Sequence, residues 1–429
     1  MRKIATKQKR VPSGMIHWGN RLGNFATDSN QRPTVPNIAK PAYLSSFIEP
    51  WYGTKITRIT GDVGTTIPTT GGTWPSICRI GYNNRQPWNC DETVMILDTS
   101  GLSNVLYLDG STYAPLRVQT WGPSYCNECR WHPSLPRVGL YCGSNASGTA
   151  CEFGQFNIDT LATSHVVTVP GYTGASLGNT GNWSNDGTMA AVFATRTSDG
   201  KVVVFALNMN GTKYADIDPV AKGMTSPAST SIDYVTISPN GDLIYVNGLY
   251  TGGDPRGDAA MIFDIAGNTI QSWLEYGLPS HGDASLDAKG NQVHVGVDKN
   301  SSPPPGGQVC MRDMRTGAIT YLTRGGYFAG ASGQCIKLPH WAIVEDGNWT
   351  AFHNYPPYDD DICAVALDGS GIVARFAQRR GWGKSYDNQG FVVPSPSGTR
   401  IAYAANFHTS DVSDTPVQTY VIDLRQNLQ

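Results

Sequence analysis

Apolar residues in this chain come in short runs separated by Gly, Asn, Asp, Ser and Pro, and the stretch from Trp183 to Asn208 shows the unit most clearly. An aromatic leads in, Asn185-Asp186-Gly187 supplies residues that tolerate positive φ, and two β-rich runs follow, Met189 to Thr195 and Val202 to Asn208. This pattern predicts most of a four-stranded antiparallel sheet with a hairpin at its centre. A sheet that is apolar on both faces must be covered on both, so the unit predicts further copies packed side by side.

The copies recur with a period of about fifty residues. Ser238-Pro239-Asn240-Gly241 precedes Leu243 to Val246, Asp287-Ala288-Lys289-Gly290 precedes Gln292 to Val295, and Pro396-Ser397-Gly398 precedes Ile401 to Ala404. Glu345-Asp346-Gly347 before Thr350-Ala351-Phe352 reads as the sixth unit's turn, with Cys335-Ile336-Lys337 before Trp341 to Val344 as the alternative hairpin. Two degenerate units lie upstream, Trp88 to Glu92 before Val94 and Trp131-His132-Pro133 before Val138, making seven in all. Each has a third strand, from Val105-Leu106-Tyr107-Leu108 in the first to Tyr420-Val421-Ile422-Asp423 in the last, and six continue into a fourth. The last lacks one, while Gly53 to Thr60 alternates with period two as an orphan strand ahead of the first complete unit. The expectation is an all-β, seven-bladed β-propeller over residues 43–429, closed by that N-terminal strand completing the last blade, after an extended arm over residues 1–42.

Composition agrees: 48 glycines and 15% charged residues suit strands joined by tight turns. A formal net charge of −2 gives no nucleic-acid footprint, although Arg2, Lys3, Lys7, Lys9 and Arg10 cluster at the start. No apolar run is long enough for a membrane span, and Val11-Pro12-Ser13-Gly14 follows the basic start where a signal peptide would be hydrophobic. The expected setting is therefore cytoplasmic or virion-associated, with the arm as a tail or as an assembly contact on a neighbouring subunit.

Of nine cysteines, Cys126, Cys129, Cys142 and Cys151 fall in or beside the second unit. They are candidates for structural zinc, for a disulfide, or for inert thiols.

A propeller opens its blade-to-blade links and its second-to-third-strand loops on one face. Late in the chain that face should collect His281, Asp298, Lys299, His353, Asp359-Asp360-Asp361 and His408. Arg379, Arg380, Trp382, Lys384 and Tyr386 arrive on the link between the sixth and seventh units. Guanidinium groups for carboxylates and rings for sugar faces make Lys384, Trp382 and His353 candidate binding residues for an acidic glycan. His165 and His294 read as packed histidines.

Tyr52 to Thr60, the Ser-Pro-x-Gly turns and the terminal Tyr420 to Leu424 together resemble seven-bladed propellers of the oligogalacturonate lyase type. They also resemble uncharacterised bacterial and phage propellers that carry a segment like His281-Gly282-Asp283. The first resemblance implies a divalent metal held by histidines and a glutamine near the last blade; Gln389 stands there, with Phe391 and Val393 where histidines are expected. It implies β-elimination on a uronate: Arg379 or Arg380 neutralises the carboxylate, His281 or His408 removes the C5 proton, and Tyr386 protonates the leaving oxygen. The alternative is a non-catalytic virion or appendage component that attaches to a cell-surface glycan or protein.

Overall fold

A computed structural model describes residues 38–99, 104–224, 232–248, 259–273, 278–298, 307–326, 328–334, 336–346, 360–381, 389–407 and 416–425. Its assigned strands form seven antiparallel sheets arranged as the blades of a propeller. Blade 1 runs Cys78–Arg79, Val94–Thr99, Val105–Asp109 and Pro115–Gln119, from the axis outward. Blade 2 follows the same order with Cys126–Trp131, Val138–Ser144, Ala150–Asn157 and Thr163–Pro170.

Period-two alternation is what stacks the blades. In blade 1, Val94 and Ile96 pack with Trp131 and Tyr141 of blade 2, whereas their neighbours Met95 and Leu97 pack with Val393 and Val421 of blade 7. In blade 3, Ala190 and Val192 face blade 2 while Met189 and Ala191 face blade 4. Successive side chains of a strand point to opposite faces, so one apolar run serves two interfaces. Seven separate clusters result, one per blade interface, and the core is a ring of seven slabs.

Blade 7 closes the ring as expected. Its sheet reads Val393–Pro394, Arg400–Ala405, Gln418–Asp423, Lys55–Arg58 and Ser46–Ile48. Lys55–Arg58 pairs with the last strand, Ile56 opposite Ile422, and Ser46–Ile48 adds an outer strand that the sequence pattern did not indicate. Blade 3 differs the other way: its fourth position is reduced to the isolated bridges Val204 with Ile217 and Leu207 with Lys213.

Blade 6 corrects one reading. Its strands are Phe328–Ser332, Trp341–Asp346, Asp361–Ala366 and Val373–Gln378, so Glu345 and Asp346 end the second strand and form no first hairpin. That hairpin is the Gly333 to His340 connection, the alternative weighed above, and it moves His353 to the second-to-third link, outside the described residues. His340 instead caps the hairpin, its Nδ1 donating to the Asp287 carbonyl at 2.6 Å.

The first-to-second turns are built from the predicted residues for a local reason. Ser184 Oγ accepts from the Met189 amide at 2.9 Å and donates to Asp186 at 2.6 Å, and Ser238 Oγ accepts from the Leu243 amide at 3.0 Å. Short polar side chains thereby satisfy backbone groups that the turn leaves without a ladder partner. No helix among the described residues is long and apolar enough to cross a membrane.

Candidate functional site

The axis of the ring is filled from within. After Arg79 the inner strand of blade 1 breaks off, and Tyr82 to Gln86 crosses the centre. Asn83 Nδ2 donates to the Ala331 carbonyl of blade 6 at 3.2 Å, and Asn84 Nδ2 to the Gly282 carbonyl of blade 5 at 3.2 Å. Gln86 Nε2 reaches the Gln334 and Pro394 carbonyls at 3.1 and 2.9 Å, and Asn182 Nδ2 donates to the Asn84 carbonyl at 2.8 Å. A segment of one blade thus bonds to four others and plugs the channel.

Between this plug and the first-to-second turns lies an axial cavity of about 70 Å³, bordered by Trp131, Trp183, Thr236, Asp283 and Gln334. Asp283 is its polar hub. The Gln334 side chain and Gly333 amide donate to its Oδ2 at 2.7 and 3.1 Å, and the Ala284 amide to Oδ1 at 2.9 Å. Burial nevertheless pushes its carboxyl up to about 6. Small-molecule sites run to about 300–1,000 Å³, so this cavity suits water and not a sugar ring.

Of the predicted basic rim, Arg379 and Arg380 are described, and both are paired with acids. Arg379 Nε pairs with Asp360 Oδ1 at 3.1 Å, the Arg380 amide donates to Asp360 Oδ2 at 2.7 Å, and the Arg380 guanidinium faces Glu49 at 3.6 Å. Arg375 pairs with Asp361, which also accepts from the Tyr52 hydroxyl at 2.9 Å. All of these charged side chains are buried. Burial, opposed by the facing arginines, lifts Glu49, Glu345 and Asp361 to about 7. His281 reaches the same upper face, where outer strands hand over to inner ones, with Nδ1 donating to the Ala329 carbonyl at 3.2 Å. Asp360, Arg380, Phe391 and Phe407 hold φ between 48° and 59°, a conformation costly for residues other than glycine. His353, Trp382, Lys384, Tyr386 and His408 lie outside the described residues.

Among the described residues, the metal that the family resemblance implies does not find its ligands. Phe391 and Val393 are buried in the slab between blades 7 and 1, and no group of three or more His, Cys, Asp or Glu among the described residues could hold an ion. His294 is packed as expected, its Nε2 2.9 Å from the Tyr234 hydroxyl and its ring stacked on Tyr245; burial lowers it to about 3. His165 is not packed: it stands exposed on the outer strand of blade 2.

The larger opening is a cleft of about 420 Å³ on the upper face between blades 1 and 2. Trp121 forms an apolar wall, its ring packed against Trp131, Phe156 and Tyr107 at 4.6, 5.3 and 6.1 Å between ring centres. Asn104, Thr120, Ser124, Asn127 and Asn179 supply neutral polar groups. Its charges come matched: Arg85 with Asp98 at 3.0 Å, and Glu128 with Arg130 at 3.2 Å. Glu128 also accepts from Ser176 Oγ and the Leu177 amide, at 2.6 and 2.7 Å. At its floor Cys126 Sγ and Cys129 Sγ lie 3.0 Å apart. The hydrogen bond from Cys129 lowers Cys126, and burial raises Cys129. Sequence reasoning saw these cysteines but not the cleft, whose amide and hydroxyl lining is ordinary loop composition; Trp121 beside Gly122-Pro123 was the available signal.

No family model and no curated protein matches the sequence. Among solved structures, the chain is similar to an oligogalacturonate lyase in complex with manganese, at 12% identity over 91% of this chain and 98% of that one, with a TM-score of 0.56. It is also similar to oligogalacturonate lyase from Vibrio parahaemolyticus, at 11% identity over 90% and 97%, with a TM-score of 0.54. Similarity at this level is a shared seven-bladed fold, and activity has to be argued from the sites themselves.

Proposed function

We propose that this protein is a carbohydrate-interacting propeller that takes a glycan segment in the cleft between blades 1 and 2. The observation that carries the reading is the pairing of an aromatic wall, Trp121, with amide and hydroxyl groups in a cleft of about 420 Å³. Sugars offer an apolar ring face and a fringe of hydroxyls, and this lining offers a counterpart to each. Because the charged residues at the cleft are already paired, the ligand favoured is a neutral segment, with uronate-containing chains as the competing outcome. Titration of the full chain with neutral and uronate oligosaccharides tests this. Asn104→Ala and Trp121→Phe should each weaken binding by roughly tenfold, about 1.4 kcal/mol. Absence of binding across both classes, or binding indifferent to both substitutions, would remove the proposal.

A second reading, β-elimination on a uronate at the upper face of blades 6 and 7, is favoured by the positive φ of Asp360, Arg380, Phe391 and Phe407, since strain of this kind gathers at functional sites. It takes His281 or His408 as base, Tyr386 as acid, and Arg379 or Arg380 released from Asp360 and Glu49 by the substrate carboxylate. Ultraviolet absorbance of an unsaturated product from pectic, alginate or ulvan-type polymers, lost in His281→Ala or His408→Ala, would establish it. The virion or appendage role, with the arm as assembly contact, rests on binding alone and is compatible with the first reading.

A further inference from the structure

Cys126 and Cys129 would face opposite sides of a regular strand, because residues three apart differ in parity. The strand is not regular there. Cys126 pairs with Gly143 and Glu128 with Cys142, its immediate neighbour, so Asn127 is an extra residue bulged out of the ladder. The bulge shifts the phase and brings both thiols to one side, with sulfurs 3.0 Å apart. That separation is inside the contact distance of even carbon atoms, about 3.5–4.0 Å, and about 1 Å beyond the length of a disulfide bond. Gly122 completes the arrangement: at φ 91° it presents bare backbone, and a Cβ there would stand 2.3 Å from Cys129 Sγ and 3.1 Å from Cys126 Sγ. Both sulfurs border the cleft, Cys126 partly exposed and Cys129 buried behind it.

We propose that Cys126 and Cys129 form a reversible dithiol–disulfide pair that exchanges with low-molecular-weight disulfides entering the cleft. The Cys126 thiolate attacks one sulfur of a disulfide RSSR, forming the mixed disulfide Cys126–S–SR and releasing one RS⁻. Cys129, deprotonated, attacks Cys126 Sγ, closes the internal disulfide and expels the second RS⁻. The two protons lost by the cysteines end on the two thiols released, and the two electrons lost by the pair reduce RSSR. Access assigns the order: only Cys126 can be reached first. Cys78, Cys142, Cys310 and Cys363 are buried.

The test is equilibration of the full chain in glutathione buffers from reducing to oxidising, acid quenching, alkylation and tryptic mass spectrometry. Residues 118–130 leave trypsin as one peptide containing both cysteines and no other. That peptide should pass from doubly alkylated to internally bridged, two hydrogens lighter than the unalkylated dithiol, while other cysteine peptides remain alkylated. Cys129→Ser should accumulate glutathione on Cys126, and Cys126→Ser should accumulate none on Cys129. Double alkylation persisting in the most oxidising buffer, or glutathione gathering on other cysteines first, would overturn the proposal. These readouts require no sugar ligand, so they stand or fall separately from the glycan reading.

Discussion

Truncating Ile56 to alanine separates a strand that closes the ring from one that merely lies against it. Ile56 is fully buried in the slab between blades 6 and 7, where it joins Ile362, Phe376, Tyr420 and Ile422. The substitution removes three carbons; at about 0.8 kcal/mol each the transfer loss is about 2.4 kcal/mol. The unfilled space adds to this, within the overall range of about 2–5 kcal/mol for such truncations. Eight residues earlier, Ile48 sits on the outermost strand of the same sheet at 57% exposure, and Ile48→Ala should cost under about 0.5 kcal/mol. Urea unfolding followed by tryptophan fluorescence gives both shifts in one transition. Equal shifts for the two variants, or none for Ile56→Ala, would refute the placement of residues 55–58 inside the last blade.

Two further outcomes follow from buried charge. Asp283 has a folded value of about 6 against an ordinary value of 3.8, so the folded state binds its proton more tightly. The stabilisation this gives is complete below the unfolded value and is lost as pH rises through about 6, an effect of roughly 3 kcal/mol. Urea midpoints measured from pH 4 to 7 should therefore fall for the wild type relative to Asp283→Asn, and parallel profiles would contradict the assignment. Arg375→Met should destabilise by about 3–5 kcal/mol by leaving Asp361 buried and uncompensated, and adding Asp361→Asn should recover most of it; thermal midpoints of the single and double variants decide.

The ring was legible in the sequence because its turns demand particular residues at fixed offsets: Ser184 and Ser238 each answer the amide five residues on. Closure was legible because Gly53 to Thr60 alternates with period two ahead of the first complete blade while the last blade lacks a fourth strand; the strand Ser46–Ile48 that pairs with it from upstream left no such pattern. Blade 6 misled because Glu345-Asp346-Gly347 has turn composition, yet Glu345 is buried in a strand and accepts from the Phe391 amide at 3.1 Å. Nothing local marks the axial plug, since the carbonyls answering Asn83, Asn84 and Gln86 belong to distant blades. The sequence placed Arg379, Arg380 and Asp360 on one face but showed neither their pairing nor Glu49. Asp360 lies in another loop and Glu49 arrives with the closing N-terminal segment.

The glycan cleft can be tested most directly by ¹⁹F NMR of the 5-fluorotryptophan-labelled chain, with the Trp121 resonance assigned from Trp121→Phe. Adding an oligosaccharide that binds should move the Trp121 signal and leave those of Trp74 and Trp273, buried in other slabs, in place. A bound sugar that shifts other tryptophans and not Trp121 would place the ligand elsewhere on the ring and contradict the assignment.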